Sequence, residues 1–507
     1  MSTILESVSR RWFYLPALLA AVLAAPASLS RIAQAQSSDG DFEGEHAYKQ
    51  ADGKEVEIKE PAKNYRLKIN NALRAGKAST AEEEKLVSDH FRFRVASLTW
   101  KENIPDLQKL RKDIKSKDLG LVGRADAPDL HERLNKMLLD EMQKVALDKR
   151  YPRAVRVNAV LMLGELDQRE PKGLDAGVPL PEAEPVLFKF LEDDKLHDAY
   201  RIDALVGLMR HAASNAGLAG GGNAELVKEM TKFLEAKELP KGKSPAGHLW
   251  LRMLACDTIK ILAEKTPEAN QPKVVAALEA FLVEKGIEHW IRCHAAAALG
   301  AIEVKSLQAT AAPTAQALAA LVVEISKTHE RLLEAAGVEA SKKKKKTVAP
   351  APGQESQEDA PPVIPENVQK VASEEVVDDL FQVRFGLVGA EINKDNSTDR
   401  GLLAASNPEG QKFILELVDL IDKKMVKALK DKNKTTIELL AEVAGQGAEL
   451  ENRLKSQNAE KQSEAVQTPD KVATPAAGGV KTVSPPVRTG AKPPPGNSGA
   501  AESVTTP

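Results

Sequence analysis

The sequence repeats one short pattern four times between residues 151 and 337. Each copy has an arginine, an alanine three residues later, and a leucine or isoleucine seven residues after the arginine. The four copies begin at Arg156, Arg201, Arg252 and Arg292. Positions 0, 3 and 7 lie on one face of an α-helix, where a small alanine lets a neighbouring helix approach closely. The pattern therefore predicts four related helices that pack against their neighbours.

Each of these helices is followed by a second amphipathic stretch. After the second and third copies, apolar residues fall at identical offsets of 0, 1, 4, 7 and 8, the spacing of one helical face. They are Leu226, Val227, Met230, Phe233 and Leu234, and then Val274, Val275, Leu278, Phe281 and Leu282. Successive arginines are 45, 51 and 40 residues apart. The sequence thus predicts a two-helix unit that is repeated with connections of variable length.

Two copies continue with a glycine directly after the leucine, at Gly164 and Gly300. The resulting Val-Arg-x-x-Ala-x-x-x-Leu-Gly-x-Leu pattern resembles the first helix of a HEAT repeat, and the resemblance covers roughly residues 125–337. It implies an all-α fold, a HEAT-like α-solenoid of about four helix pairs. With the export signal described below, the chain is similar to exported bacterial HEAT-repeat proteins of unassigned role. The second and third copies lack the glycine, so we expect those two units to be the less regular ones.

The composition favours helices and argues against several functional classes. Aromatic residues make up only 4% of the chain, whereas large β-sandwiches rely on aromatic and β-branched residues. The 71 Lys and Arg residues are balanced by 73 Asp and Glu residues, so the basic excess of a typical nucleic-acid binder is absent. Two cysteines cannot form a disulfide-stapled scaffold or a Cys-rich zinc module.

The first 35 residues have the features of a secretory signal peptide. Arg10 and Arg11 supply the positive region, an apolar stretch follows, and Ala33-Gln34-Ala35 forms a small-x-small cleavage site. Pro16 and Pro26 interrupt the apolar stretch, which makes a retained anchor the weaker alternative. The paired arginines also resemble the twin-arginine export motif. We expect an exported protein, periplasmic or in the cell envelope or extracellular, without a transmembrane span in the mature chain.

Composition and periodicity divide the chain into seven segments. They are a signal peptide (1–35), a polar and poorly ordered segment (36–63), an N-terminal helical segment (64–124), the repeat solenoid (125–338), a Lys/Pro-rich linker (339–370), a C-terminal helical segment (371–456) and a disordered tail (457–507). The sequence leaves open whether the C-terminal helices dock on the solenoid or form a separate bundle.

The four arginines are candidate functional residues, because equivalent positions of stacked repeats can form a row that holds an anionic partner. The alternative, which we favour, is structural: each arginine bonds a carbonyl between helices or a neighbouring carboxylate. His197, His248 and His289 lie about one turn before their arginines, and Trp250 and Trp290 lie two residues before theirs. These five residues are candidate partner contacts, since tryptophan is enriched at protein interfaces, or they pack at the helix starts.

We expect no metal or cofactor, because histidines on successive repeats should lie on the order of 10 Å apart, too far to share an ion. Cys256 and Cys293 are expected to be buried free thiols, since stacked helices are farther apart than a disulfide spans. The run Lys342–Lys346 is read as a solvated linker, and the alternative is a contact with an anionic polymer.

The sequence contains no nucleophile elbow, HExxH motif, EF-hand loop or pair of catalytic carboxylates. The favoured hypothesis is a non-catalytic scaffold that binds a protein or peptide partner in the periplasm or cell envelope. One alternative is an enzyme whose site lies between the solenoid and the C-terminal helices. Another is an anionic-polymer binder that acts through Lys342–Lys346. A nucleic-acid partner is not expected.

The repeat alignment predicts that Ala204 and Ala295 lie at helix crossings. We expect Ala204→Glu or Ala295→Glu to unfold the repeat region, because either change buries an unpaired carboxylate at a cost of several kcal/mol. Thermal melting followed by circular dichroism measures the effect. Wild-type melting of either variant would show that the alignment is wrong.

Overall fold

The fold is all-α, which confirms the predicted class. The computed structural model describes residues 47–49, 55–125, 129–173, 175–214, 218, 221–347, 366–389, 400–422, 440, 443–453 and 456. Within these residues, strands form only two short antiparallel hairpins. They are β1 (Ala47–Lys49) with β2 (Glu55–Glu57), in which Ala47 pairs with Glu57, and β3 (Asp167–Arg169) with β4 (Val178–Pro179), in which Asp167 pairs with Pro179. The predicted signal peptide and the predicted tail lie outside the described residues.

The helices follow one another through the described chain. They are α1 (Arg66–Ala75), α2 (Ala81–Ser97), α3 (Leu107–Asp113), a π-helix (Ile114–Leu119), α4 (Gly120–Val122), α5 (Asp129–Leu147), α6 (Arg153–Glu165), α7 (Glu184–Glu192), α8 (Asp198–Ala213), α9 (Gly222–Glu235), α10 (Pro245–Leu262), α11 (Pro272–Leu282), α12 (His289–Ala301), α13 (Val304–Leu307), α14 (Ala311–Thr347), α15 (Glu366–Val388), α16 (Gly401–Ala405) and α17 (Pro408–Asp419). Residues 443–453 are also helical.

Local sequence signals explain several helix starts. The Ser244 hydroxyl accepts a hydrogen bond from the Gly247 amide at 3.0 Å, and Pro245 occupies the first helical position of α10. A side-chain acceptor and a proline at these positions satisfy or remove amides that have no partner within the helix. The N-cap residue Asn407 serves α17 in the same way, with its side chain accepting from the Gly410 amide at 2.9 Å.

The repeat region consists of four packed helical hairpins: α5–α6, α7–α8, α9–α10 and α11–α12. The second helix of each hairpin carries the repeated arginine. These second helices, α6, α8, α10 and α12, pack against one another in chain order, and we call them the arginine-helix row. The sequence pattern predicted that each arginine helix pairs with the helix that follows it. In the structure, each arginine helix packs more closely against the helix that precedes it. This arrangement of packed pairs is compatible with an α-solenoid.

The C-terminal helix α15 extends the arginine-helix row. It packs against α12 on one side and against α14 on another. Its buried side chains Val376, Leu380, Val383 and Leu387 belong to the same apolar core as the repeats. The C-terminal helices therefore dock on the repeat region, which is one of the two arrangements that the sequence left open. Helix α14 runs to Thr347, so the predicted linker begins within a helix that includes Lys342–Lys346.

Glycines make the closest helix contacts of the row. A Cβ atom added to Gly164 in α6 would lie 2.8 Å from the Cα atom of Gly207 in α8. A Cβ atom added to Gly300 in α12 would overlap the carbonyl oxygen of Phe385 and lie 2.8 Å from the Cα atom of Gly386, both in α15. The glycine that follows the repeated leucine thus lets backbones touch at both ends of the row.

The helices of the described residues bury their apolar faces in one connected core that runs from α1 to α17 and includes Leu440, Val443 and Leu450. Ala204 and Ala295, predicted to lie at helix crossings, are both fully buried. Among the described residues, no helix combines the length and apolar character that crossing a bilayer requires.

The close approach at Gly300 predicts a strong effect of a single methyl group. We expect Gly300→Ala to lower the free energy of unfolding by about 1–3 kcal/mol, because the added methyl group overpacks the contact with α15. Gly445→Ala is the matched control, since nothing lies within 4 Å of the added atom. Urea unfolding measures both, and equal stability of the two variants would contradict the observed contact.

Candidate functional site

The four repeated arginines all donate hydrogen bonds to backbone carbonyls at or near the end of the preceding helix. Arg156 Nε lies 3.1 Å from the Ala146 oxygen, Arg201 Nε 2.9 Å from Leu191, Arg252 Nη2 2.9 Å from Leu234, and Arg292 Nη1 3.4 Å from Leu282. The carbonyls at a helix C-terminus lack intrahelical partners. Each arginine therefore closes its hairpin by capping the preceding helix.

Three of these arginines also stack on an aromatic ring of the next hairpin. The Arg156 guanidinium lies 4.9 Å from the centre of the Tyr200 ring, and that of Arg201 lies 4.9 Å from the Phe233 ring. The Arg252 guanidinium lies 4.5 Å from the Phe281 ring. A cation over an aromatic face is favourable, and more so when water is excluded. These arginines thus bind one hairpin internally and hold the next one beside it.

Burial also limits what the arginines can bind. Arg252 is 1% exposed and makes a two-bond contact with the Glu284 carboxylate, at 3.0 and 2.7 Å. Burial lowers the pKa of Arg201 below its usual range. Arg292 pairs with Glu324. The described contacts pair each guanidinium group with carbonyl or carboxylate oxygens of the protein, and the choice between a structural role and binding of an anionic partner stays a prediction.

The five predicted partner-contact residues are all partly or fully buried. His197 accepts a hydrogen bond from the Ala199 amide at 3.2 Å and caps α8. His248 donates to the Ala236 carbonyl at 2.8 Å, and burial lowers its pKa. Trp250 packs partly buried against the core, and Trp290 donates to the Glu288 carboxylate. Their contact with a partner stays a prediction, and their common location is the start of an arginine helix.

His289 differs from the other four, because it belongs to a buried cluster with His329 of α14 and Asp379 of α15. The Asp379 Oδ2 atom lies 3.3 Å from His289 Nε2 and 3.7 Å from His329 Nε2. The two imidazole rings meet edge to face, with centres 5.3 Å apart. The exposed fractions of His289, His329 and Asp379 are 9, 4 and 7%. We call these three residues the His–His–Asp cluster.

The electrostatics of the cluster favour an ionised carboxylate. Burial raises the pKa of Asp379, but contacts with His289 and His329 outweigh burial, so the pKa lies below its ordinary value of 3.8. Cys293 lies one turn beyond His289 on α12, and burial together with the Asp379 charge raises the pKa of its thiol well above 9.0. The cluster therefore presents one carboxylate and two imidazoles while the nearby thiol stays protonated.

Sequence reasoning selected His289 but missed the other two members of the cluster. The expected absence of a metal site rested on the distance between histidines of successive repeats. The cluster instead takes one residue from each of three helices, separated by 40 and 50 positions in the sequence. No linear spacing signals such a group, and only the docking of α15 on α12 brings Asp379 to the histidines.

Both cysteines are buried and free, as the sequence predicted. Burial raises the pKa of the Cys256 thiol well above its ordinary value, as it does for Cys293. A thiol of this kind is a poor nucleophile, because the thiolate is the reactive species. The two cysteines therefore act as small apolar core residues.

The hairpin turns form one edge of the repeat region, which we call the turn edge: residues 148–152, 193–197, 236–244 and 283–288. The third and fourth turns each contact the arginine helix of the hairpin before them. The Ser244 amide donates to the Asp198 carboxylate at 3.2 Å, and Glu284 of the fourth turn binds Arg252 near the third. The described residues expose six large apolar side chains. Three of them lie on or beside these turns, with exposed fractions as follows: Leu147 (57%), Leu239 (44%) and Val283 (57%).

A polar cleft of about 460 Å³ lies between α1, α2 and the π-helix. On its wall, the Asp118 carboxylate lies 3.2 Å from His90 Nε2 and accepts from Arg94 Nε at 3.1 Å. Both carboxylate oxygens are thus engaged by side chains of α2. The arrangement ties the π-helix to α2.

The position of Arg252 predicts a stability role. We expect Arg252→Lys to lower the free energy of unfolding by about 2–4 kcal/mol, because lysine cannot reproduce the two-bond contact and leaves a carbonyl unpaired. The matched control is Arg292→Lys, whose partner Glu324 is about half exposed, and we expect a smaller loss. Chemical unfolding measures both. Wild-type stability of Arg252→Lys would rule out the structural role.

Comparisons with protein-family models, with curated proteins and with solved structures find no match for this chain.

Proposed function

We propose that this protein is an exported, non-catalytic, HEAT-like α-solenoid scaffold that binds a protein or peptide partner along the turn edge. The observation that carries the proposal is the exposure of Leu147, Leu239 and Val283 on or beside the turns of three of the four hairpins. Exposed apolar surface rimmed by polar residues is typical of a protein contact, and side chains on neighbouring turns can contribute to one such surface. The signal peptide that the sequence predicts in residues 1–35 supports a partner in the periplasm or cell envelope.

The residues around these side chains suit an interface. Trp290 is the second residue of α12 and Trp250 is the sixth residue of α10, and both remain partly accessible. Large aromatic side chains beside an apolar patch are common anchors of protein contacts. Most of the other exposed residues of the turns are charged, which resembles the polar rim that surrounds the core of an interface.

The arginine-helix row gives this edge a fixed geometry. Each arginine closes its own hairpin, and three of them stack on the neighbouring hairpin, so the turns are held at set distances from one another. A partner that contacts several turns at once gains affinity without ordering the scaffold, because the binding surface is already formed. This mechanism requires no catalytic group.

Site-specific photocrosslinking in the exporting cell tests the proposal. A photoreactive amino acid is placed at Leu239 or Val283, and in control chains at Leu67 or Leu332, which are exposed on α1 and α14. We expect the two turn-edge positions to capture the same protein and the control positions to capture none. Capture at all four positions alike, or at the control positions alone, would contradict the proposed edge.

A variant pair measures the affinity for the captured partner. We expect Leu239→Glu combined with Val283→Glu to weaken binding by at least ~10-fold, because two apolar contacts are replaced by charges. Leu67→Glu is the matched control and should bind as the wild type does. Unchanged binding by the double variant would place the partner elsewhere on the protein.

A further inference from the structure

The His–His–Asp cluster contains a buried polar atom that makes no hydrogen bond to the part of the chain that the structure describes. His329 is 4% exposed, and its Nε2 atom has no hydrogen-bond partner among the described residues. The closest carboxylate oxygen, from Asp379, is 3.7 Å away, which is too far for a hydrogen bond. A buried imidazole nitrogen without a partner costs free energy, so such an atom calls for an explanation. It points towards the same carboxylate that His289 contacts.

The distances between the three side chains match the spacing of ligands around a small ion. Zinc binds imidazole nitrogen and carboxylate oxygen at about 2.0–2.1 Å in tetrahedral geometry, so two neighbouring ligand atoms are ~3.3 Å apart. The observed separations from Asp379 Oδ2 are 3.3 Å to His289 and 3.7 Å to His329. One ligand atom from each residue can be chosen so that all three lie within 4.8 Å of one another.

The chemistry of the three groups selects the class of metal. Two imidazoles and one carboxylate suit zinc and similar divalent transition metals, whereas magnesium and calcium prefer sites made of oxygen ligands. The cluster brings one negative charge into a buried place, and an ion would neutralise it. Cys293 is not part of the ligand group, so three protein ligands leave a further position on the ion.

We infer that His289, His329 and Asp379 form a binding site for one divalent transition-metal ion of the zinc class. The three ligands come from α12, α14 and α15, and the last two helices are joined by the long connection 348–365. An ion there links the fourth hairpin directly to the helices that follow it. Its expected role is to hold α15 on the end of the arginine-helix row near the start of α12, whereas the close contact at Gly300 lies near the end of that helix.

The site is independent of the proposed scaffold function. His289 begins α12 directly after the fourth hairpin turn, but its side chain is buried and faces α14 and α15 rather than the turn edge. A failure to bind metal would therefore contradict the metal site and not the partner surface. A failure to capture a partner would contradict the partner surface and not the metal site.

Metal binding by the purified full-length protein tests the inference. After treatment with a chelator, Zn²⁺ is titrated and the bound ion is counted, with Mg²⁺ as a comparison. Co²⁺ in place of Zn²⁺ reports the ligand geometry through its visible absorption. We expect one Zn²⁺ per chain, a tetrahedral Co²⁺ spectrum, and a rise in melting temperature with Zn²⁺ but not with Mg²⁺.

Three ligand variants and a matched control locate the ion. We expect His289→Gln, His329→Gln and Asp379→Asn each to weaken Zn²⁺ binding by more than ~100-fold, since loss of a direct ligand exceeds the 10–100-fold effect of residues that only support one. His294→Gln is the control: it lies on α12 and pairs with Asp257 at 2.7 Å, without a third ligand. It should bind Zn²⁺ as the wild type does.

Two kinds of result would contradict the metal site. Absence of stoichiometric Zn²⁺ binding would overturn the inference and leave the cluster as a hydrogen-bonded group. Equal binding by wild type and ligand variants, or loss in His294→Gln alone, would place the ion elsewhere. To separate ligand loss from misfolding, each variant is compared with the wild type in chelator by circular dichroism. A variant that matches the metal-free wild type and still fails to bind Zn²⁺ supports the site.

Discussion

The guanidinium groups of the arginine-helix row are the contacts on which the repeat region depends. Each group bonds the carbonyl end of one helix, and three of them stack on an aromatic ring of the next hairpin. A helix end buried beside other helices needs a donor for its free carbonyls. A planar cation with several N–H groups supplies that donor and still offers a face for packing. One residue type therefore closes each hairpin and spaces the hairpins along the row.

The arginine-helix row also positions the two sites that we propose. At the N-terminal ends of its helices, the turns are held side by side and expose Leu147, Leu239 and Val283 along one edge. At the far end of the row, α15 takes the place of a further arginine helix, and the contact is so close that only glycine fits at Gly300. The proposed partner surface thus follows the turns, and the proposed metal site lies where α14 and α15 pack on the last arginine helix.

The His–His–Asp cluster shows how a docking interface can also become a ligand site. His289 begins the last arginine helix, where the equivalent residues His197 and His248 find partners within their own turns. His289 has instead a carboxylate and a second imidazole from helices that pack on α12. Because the surrounding residues are buried, each of these polar groups must find a partner or an ion. The site arises only where the repeat meets the helices that follow it.

The sequence by itself determined the helical class, the four arginine helices, the buried alanines at their crossings and the free buried cysteines. Helical periodicity and residue size are local properties, and both are readable over a few turns. Tertiary structure decided which helix each arginine caps, that α15 continues the row, and that His289 meets His329 and Asp379. The arginine caps join residues 10 to 18 positions apart, whereas the contacts of α15 and of the His–His–Asp cluster join residues 40 or more positions apart. The geometry of all of them depends on how whole helices pack rather than on any local spacing.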